Sequence, residues 1–244
     1  MMNRRESQSL DRYITENYGE DQYPLDLDHS NKYINEFFGL TCCQDILDIL
    51  NPISGRKKEI TESMAVIKQI RRIVFKKPDQ RYYIFDFCAG NALTSTIASF
   101  LYPNIHSYAI DKRIRDRQWS KIRRFMYVQS NIYKERWEYM THQHRLIYPM
   151  TDFIIIGVHP CRDLAKRIIE IYNKSKADHL ILMPCCSGDK FKYSLPQVIK
   201  EKVGDYLTWC VYLLNLVEGQ KRLIVDENVL SPKNALIIAS RGSE

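Results

Sequence analysis

The chain has 244 residues, 45% of them hydrophobic, 27% charged and 11% aromatic, with a net charge of +7. That length supports one larger domain or a domain with an extension, and a mean hydropathy of −0.38 excludes a membrane protein and a disordered chain. No apolar run nears the ~20 residues that span a bilayer, the start has no apolar signal core, and seven cysteines lack disulfide-framework spacing; a cytoplasmic protein with no membrane partner is expected.

Residues 1–55 read as a helical extension. Ser30 can cap a helix carrying Tyr33, Phe37 and Leu40, and an apolar cluster follows at Ile46, Leu47, Ile49 and Leu50. Asn51-Pro52-Ile53-Ser54-Gly55 is a breaker, which sets the expected boundary of the main domain at 56–244. Beyond it Ile60, Met64, Ile67, Ile70 and Val74 recur at helical spacing. The basic character begins here: residues 56–124 hold 16 Lys and Arg against 6 Asp and Glu, whereas the other 175 residues hold 20 against 23. Clustered cations suit a polyanion, because phosphate contacts release condensed counterions; a solvated Lys-rich face is the alternative.

From Tyr82 short apolar runs alternate with helical patterns. The expected strands are Tyr82–Phe87, Ser107–Ile110, Phe125–Gln129, Phe153–Gly157 and His179–Met183. Between them lie expected helices at Ala92–Leu101, Ile114–Ile122, Lys134–His144 and Arg162–Asn173. Five strands separated by helices make a parallel sheet covered on both faces. A long helix from Gln197 to Val217 follows, and the runs Arg222–Val225 and Ala235–Ala239 close the chain as an antiparallel hairpin.

The turn after the first strand reads Phe85-Asp86-Phe87-Cys88-Ala89-Gly90-Asn91-Ala92. Its small residues admit a ligand close to the backbone, and the helix beyond offers free amide donors. Asp86 can accept from a ligand amine or organise the turn. Asp111 ends the second strand, where a carboxylate can hold both ribose hydroxyls of a nucleoside or cap the next helix. The run from Lys112 to Arg124 then carries seven cations around Trp119, a pattern suited to phosphates with a base stacked on the indole, or to a plain exposed helix.

Element order and this turn resemble the class I S-adenosylmethionine-dependent methyltransferases. Cys88 and Ala92 stand where two glycines of the family's D-x-G-x-G-x turn would be. The resemblance implies a Rossmann-like α/β fold with a seven-stranded, mostly parallel sheet and a C-terminal antiparallel hairpin. It also implies S-adenosyl-L-methionine as cofactor, held by Asp86, Cys88, Ala89, Gly90, Asn91, Asp111 and Lys112, with Ser130 and Asn131 near the adenine.

The loops after the fourth and fifth strands read Gly157-Val158-His159-Pro160-Cys161-Arg162-Asp163-Leu164 and Met183-Pro184-Cys185-Cys186-Ser187-Gly188. The H-x-C and C-C pair, with Lys57-Lys58-Glu59, resembles the methyltransferase branch that includes the acceptor-stem tRNA 2′-O-methyltransferases. His159 alone in these loops titrates near neutrality and can take a proton from an acceptor; a structural imidazole is the alternative. Cys161, Cys185 and Cys186 sit where pyrimidine C5-methyltransferases carry a nucleophilic thiol, although buried inert thiols are commoner. Adjacent cysteines chelate zinc less well than C-x-x-C, so no metal is expected; a site built from His159, Cys161, Cys185 and Cys186 is the alternative.

The expected activity is methyl transfer to RNA, with the 2′-hydroxyl favoured through the branch resemblance and segment 112–124 as the RNA contact. The alternatives are a non-catalytic RNA or protein adaptor, or a methyltransferase for pyrimidine carbon 5, a small molecule or a protein.

Overall fold

The computed structural model describes residues 31–50, 56–175, 177–186 and 197–241. Strand β1 (Arg81–Phe87) is buried from its second residue to its last, as a strand covered on both faces must be. Side chains alternate across it. Tyr82 and Ile84 enter one core with Ile154, Ile156, Ile181 and Met183; Tyr83, Phe85 and Phe87 enter the other with Phe153, Ile155, Leu180 and Leu182.

The first core is roofed by α1 (Lys32–Phe38), α2 (Cys43–Leu50), α3 (Arg56–Val74) and α4 (Leu93–Leu101). Helix α1 starts at Asn31, whose side-chain oxygen accepts from the N–H groups of Tyr33 and Ile34. The expected cap, Ser30, lies outside the described residues, as does the breaker at 51–55. Tyr33 and Phe37 are fully buried, and the Tyr33 hydroxyl donates at 2.5 Å to Asp226, which also pairs with Lys68 of α3. Helices α1 and α2 therefore share the core of the sheet. In α3 the expected stripe holds: Ile60, Met64, Ile67, Ile70 and Val74 are all buried.

The remaining elements are β2 (Ile105–Asp111), β3 (Phe125–Gln129), α5 (Trp137–Ile147), β4 (Thr151–Val158), α6 (Asp163–Lys174), β5 (His179–Met183), α7 (Gln197–Leu216), β6 (Gln220–Val225) and β7 (Ala235–Ser240). The sheet order is β3-β2-β1-β4-β5-β7-β6. Strands β1 to β5 run parallel, and β7 lies antiparallel between β5 and β6. Helices α6 and α7 close the second core through Ile168, Tyr172, Trp209 and Leu213. The expected sheet is thus the observed one. Its order reverses between β1 and β4, which opens a crevice at the carboxyl ends of those strands.

Two expected helices differ. No α-helix covers 114–122, where the chain forms an irregular loop with one 3₁₀ turn at Trp119–Lys121. Arg113, Arg117 and Lys121 repeat at four-residue spacing, which sets like charges against one another on any helix. Trp119 instead stacks on Tyr127 at 4.9 Å and Phe125 at 5.2 Å between ring centres. Its indole packs on β3, the reading of a packed tryptophan that the sequence also allowed. Helix α7 is interrupted at Gly204, which adopts φ 79° and ψ 164°. Among the described residues no helix is long and apolar enough to cross a membrane.

Candidate active site at the strand ends

Alternation along β1 puts Asp86 on the α4 side, and only 2% of it is exposed. One carboxylate oxygen accepts from the Ser95 hydroxyl at 2.8 Å, tying strand to helix. The other is buried with no hydrogen-bond partner among the described residues. Burial is the main cause that pushes this carboxyl up to about 7; the Ser95 bond opposes it and nearby Asp111 adds to it. A folded value above the unfolded one, about 3.9, means that the native state keeps a proton the unfolded chain has shed. Stability is therefore lost as pH rises from about 4 to about 7, and the penalty is complete above that. Asp86→Asn, unfolded in urea, should exceed the wild type by a few kcal/mol at pH 8 and by little near pH 4. A gap of equal size at both pH values would show that Asp86 titrates normally.

The turn beyond is held open by backbone strain. Cys88, Gly90 and Ala92 take φ of 60°, 57° and 57°. Of five non-glycine residues with positive φ among the described residues, Cys88, Ala92, His159 and Arg162 follow β1 or β4, and Arg124 lies elsewhere. Such strain persists where surrounding structure enforces it, commonly at functional sites. Ala89 N–H anchors the turn on Ile110 O at 3.1 Å, and Ala92 starts α4 without a side-chain cap. A Cβ at Gly90 would point toward the Arg113 guanidinium, 3.7 Å away, so the bare glycine faces the Asp111 side of the crevice.

Asp111 is nearly buried. Its carboxylate accepts from Gly90 N–H at 2.9 Å, Arg113 N–H at 2.9 Å and the Arg113 guanidinium at 3.1 Å. Burial pushes Asp111 upward, but these bonds outweigh it and hold the carboxyl below its usual range. Ser130 N–H donates to Asp111 O at 2.9 Å, so the end of β3 sits beside this carboxylate. Asn131 spends its side-chain oxygen on Tyr133 N–H. The Tyr127 hydroxyl lies 3.2 Å from Gly90 O and 3.0 Å from Arg113 O. Lys112 is exposed and its carbonyl accepts from Gln129.

These residues fit the cofactor the sequence implies. Asp86 offers an unused buried acceptor, Gly90 leaves the backbone bare, and Asp111 is charged. The Arg113 side chain, about half exposed, lies where ribose hydroxyls would bind Asp111 and must swing aside for a nucleoside. Besides that side chain, the carboxylate accepts only from the backbone N–H groups of Gly90 and Arg113 among the described residues.

Across the crevice, α3 contributes two carboxylates that sequence reasoning missed. His159, after β4, brings Nε2 to 2.7 Å from Glu62 Oε1, and only 7% of the Glu62 side chain is exposed. The contact is an ion-pair distance, and the same Glu62 oxygen lies 3.7 Å from Lys58 Nζ. One turn earlier Glu59 accepts from Asn91 Nδ2 at 3.2 Å, and burial is the main cause pushing its carboxyl up. The signal available in the sequence was Glu59 and Glu62 at three-residue spacing, interrupting an apolar stripe.

The two loops are clasped together. His159 N–H donates to Met183 O at 2.7 Å and Arg162 N–H to Cys186 O at 3.3 Å. This brings together the three expected cysteines: Cys161 Sγ lies 3.2 Å from Cys185 Sγ, which lies 3.3 Å from Cys186 Sγ. Burial and the two neighbouring thiols push Cys185 far up. For Cys186 burial also raises the value, but bonds from Cys185, Cys161 and Arg162 N–H, with the Arg162 charge, bring it below an ordinary thiol. Burial pushes Cys88 up to about 12.

A family model described as a methyltransferase domain matches residues 55–189. No curated protein matches the chain. Among solved structures, the chain is similar to magnesium protoporphyrin IX methyltransferase from Synechocystis PCC 6803 with bound SAH. The identity is 9%, coverage is 96% of this chain and 100% of that one, and the TM-score is 0.45. An antibiotic-resistance methyltransferase, Kmr, gives 12% identity over 66% of this chain and 87% of its own, with a TM-score of 0.40. A SAM-dependent methyltransferase from Aquifex aeolicus gives 13% over 71% and 95%, with a TM-score of 0.38.

Proposed function

The chain belongs to the methyltransferase-domain family and is an S-adenosylmethionine-dependent methyltransferase; we propose that its acceptor is RNA, at a ribose 2′-hydroxyl. When bound, S-adenosylmethionine supplies a methyl group already activated on a sulfonium. The chain's own residues have three tasks: to seat the cofactor, to orient the acceptor and to take its proton. Asp86, the turn 88–92 and Asp111 serve the first, with Ser130 and Asn131 at the adenine end. His159 serves the third, with Glu62 positioned to stabilise the charge that the imidazole gains.

The observation that carries RNA is the basic loop itself. Residues 112–124 hold seven cations and border the crevice directly after Asp111, with Lys112, Lys121 and Arg123 exposed. Arg115 and Arg117 act electrostatically on Glu59 of α3, so the loop runs from Asp111 to the start of that helix. A phosphate backbone drawn along that rim would bring a ribose to His159. The 2′-hydroxyl, a poor nucleophile until deprotonated, suits a site with a carboxylate-backed imidazole. The H-x-C and C-C loops and their resemblance to the acceptor-stem tRNA branch favour the same atom.

The test is incubation with labelled S-adenosylmethionine and total RNA, followed by nucleoside analysis. Label should appear in a 2′-O-methyl nucleoside. Reversing Lys121 and Arg123 to Glu should lower the dependence of log affinity on log salt by roughly one for each phosphate that no longer meets a cation. Label in 5-methylcytidine would transfer the chemistry to a cysteine, and an RNA affinity indifferent to salt would remove the RNA reading.

A further inference from the structure

Three thiols from two loops meet at the mouth of the crevice, outside the residues that seat the cofactor. The sulfurs of Cys161, Cys185 and Cys186 all lie within 4.8 Å of one another, with two separations of 3.2 and 3.3 Å. We propose that Cys161, Cys185 and Cys186 form a three-thiolate site for Zn²⁺, which bridges the loops after β4 and β5.

Geometry favours a metal over a disulfide. A tetrahedral zinc with bonds of about 2.3 Å sets its sulfurs about 3.8 Å apart. Two of the separations fall about half an ångström short of that value and the third is at most 4.8 Å, so small side-chain shifts would complete the triangle. A disulfide needs sulfurs near 2.0 Å and would use two of the three, leaving the third in contact but unpaired. The backbone already fixes the frame, because each loop donates one N–H to a carbonyl of the other. Cys161 is exposed, which gives an ion a way in, whereas Cys185 and Cys186 are half-buried.

Spacing alone argued against this. Two adjacent cysteines chelate poorly; the parallel pairing of β4 with β5 supplies the third sulfur. His159 is not part of the cluster of ligand atoms, and its Nε2 lies against Glu62. Three protein ligands leave one position for water or an incoming group, the pattern of zinc sites that keep an open position. On binding, each S–H bond is replaced by an S–Zn bond, three protons pass to solvent, and the site carries a net charge of −1 beside Arg162.

The experiment uses the full chain, reduced, freed of metal with a chelator and titrated anaerobically with Co²⁺. Expected are a near-ultraviolet thiolate-to-cobalt charge-transfer band and the intense visible bands of a four-coordinate ion, saturating at one equivalent and bleached by one equivalent of Zn²⁺. Cys161→Ser, Cys185→Ser and Cys186→Ser should each weaken cobalt binding by more than about tenfold. Cys42→Ser, in another part of the chain, should leave it unchanged. Absence of the bands in the wild-type protein would overturn the proposal, as would bands that survive in Cys161→Ser. So would a metal-free purified protein in which two of these thiols are lost to a disulfide. None of these readouts depends on methyl transfer, so the site and the RNA reading stand or fall separately.

Discussion

Asp111→Ala should weaken S-adenosylmethionine binding by at least about a hundredfold in calorimetry. Two hydrogen bonds from ribose hydroxyls to a charged acceptor contribute about 1.5–3 kcal/mol each, and about 2.7 kcal/mol is a hundredfold in affinity. The substitution also frees Gly90 N–H, so the left-handed turn at 88–92 loses an anchor at the point proposed to seat the cofactor. Arg113→Ala separates this from a general disturbance of the loop. The Arg113 guanidinium occupies the same carboxylate, and a half-exposed ion pair of this kind contributes at most about 1 kcal/mol. Removing it takes away a competitor, so cofactor affinity should rise up to about fivefold. Opposite signs at two residues bonded to each other are hard to obtain from unfolding. If both substitutions weaken binding equally, or Asp111→Ala binds undiminished with its far-ultraviolet spectrum intact, the nucleoside does not sit on Asp111.

The proposed cofactor half of the site could be placed from the sequence because it is local. Asp86, the small residues at 89 and 90, and Asp111 are each fixed by the end of a strand, and parallel pairing of β1 with β2 carries Asp111 to Gly90 without long-range information. The sheet was legible for a related reason: Ile154–Ile156 and Leu180–Leu182 are continuous apolar runs, as strands covered on both faces require. What could not be read depends on packing between distant segments. Glu62 looks like a solvated residue of a basic helix until α3 lays it against His159, 97 positions later in the chain. The basic run misled for the opposite reason, since its composition favours a helix while its charge spacing and the pull of Trp119 onto β3 unmake one. The cysteines show the same limit: the C-C pair was visible, but only the register of β4 on β5 reveals that Cys161 completes a cluster.

Glu62→Gln should lower kcat for RNA methylation by about 10- to 100-fold while leaving KM for RNA and the affinity for S-adenosylmethionine within about twofold. The carboxylate does not touch the acceptor. In the proposed reaction it acts through His159, whose imidazole would gain charge on taking the hydroxyl proton, and a buried carboxylate at 2.7 Å would stabilise that charge. Gln keeps the shape and removes the charge, so the loss should appear in the step where the proton moves. His159→Asn, which removes the acceptor of the proton, should cost about 10²- to 10⁴-fold in kcat. Glu59→Gln makes the contrast within the same helix: Glu59 bonds Asn91 of the cofactor turn, so its loss should fall on cofactor affinity with kcat at saturation little changed. A structural ion pair would behave otherwise. It would reduce stability and raise KM together with kcat losses, and Glu62→Gln and Glu59→Gln would then look alike. The split between two carboxylates one turn apart on α3 therefore decides whether this helix only roofs the sheet or also supplies the acceptor side of the reaction.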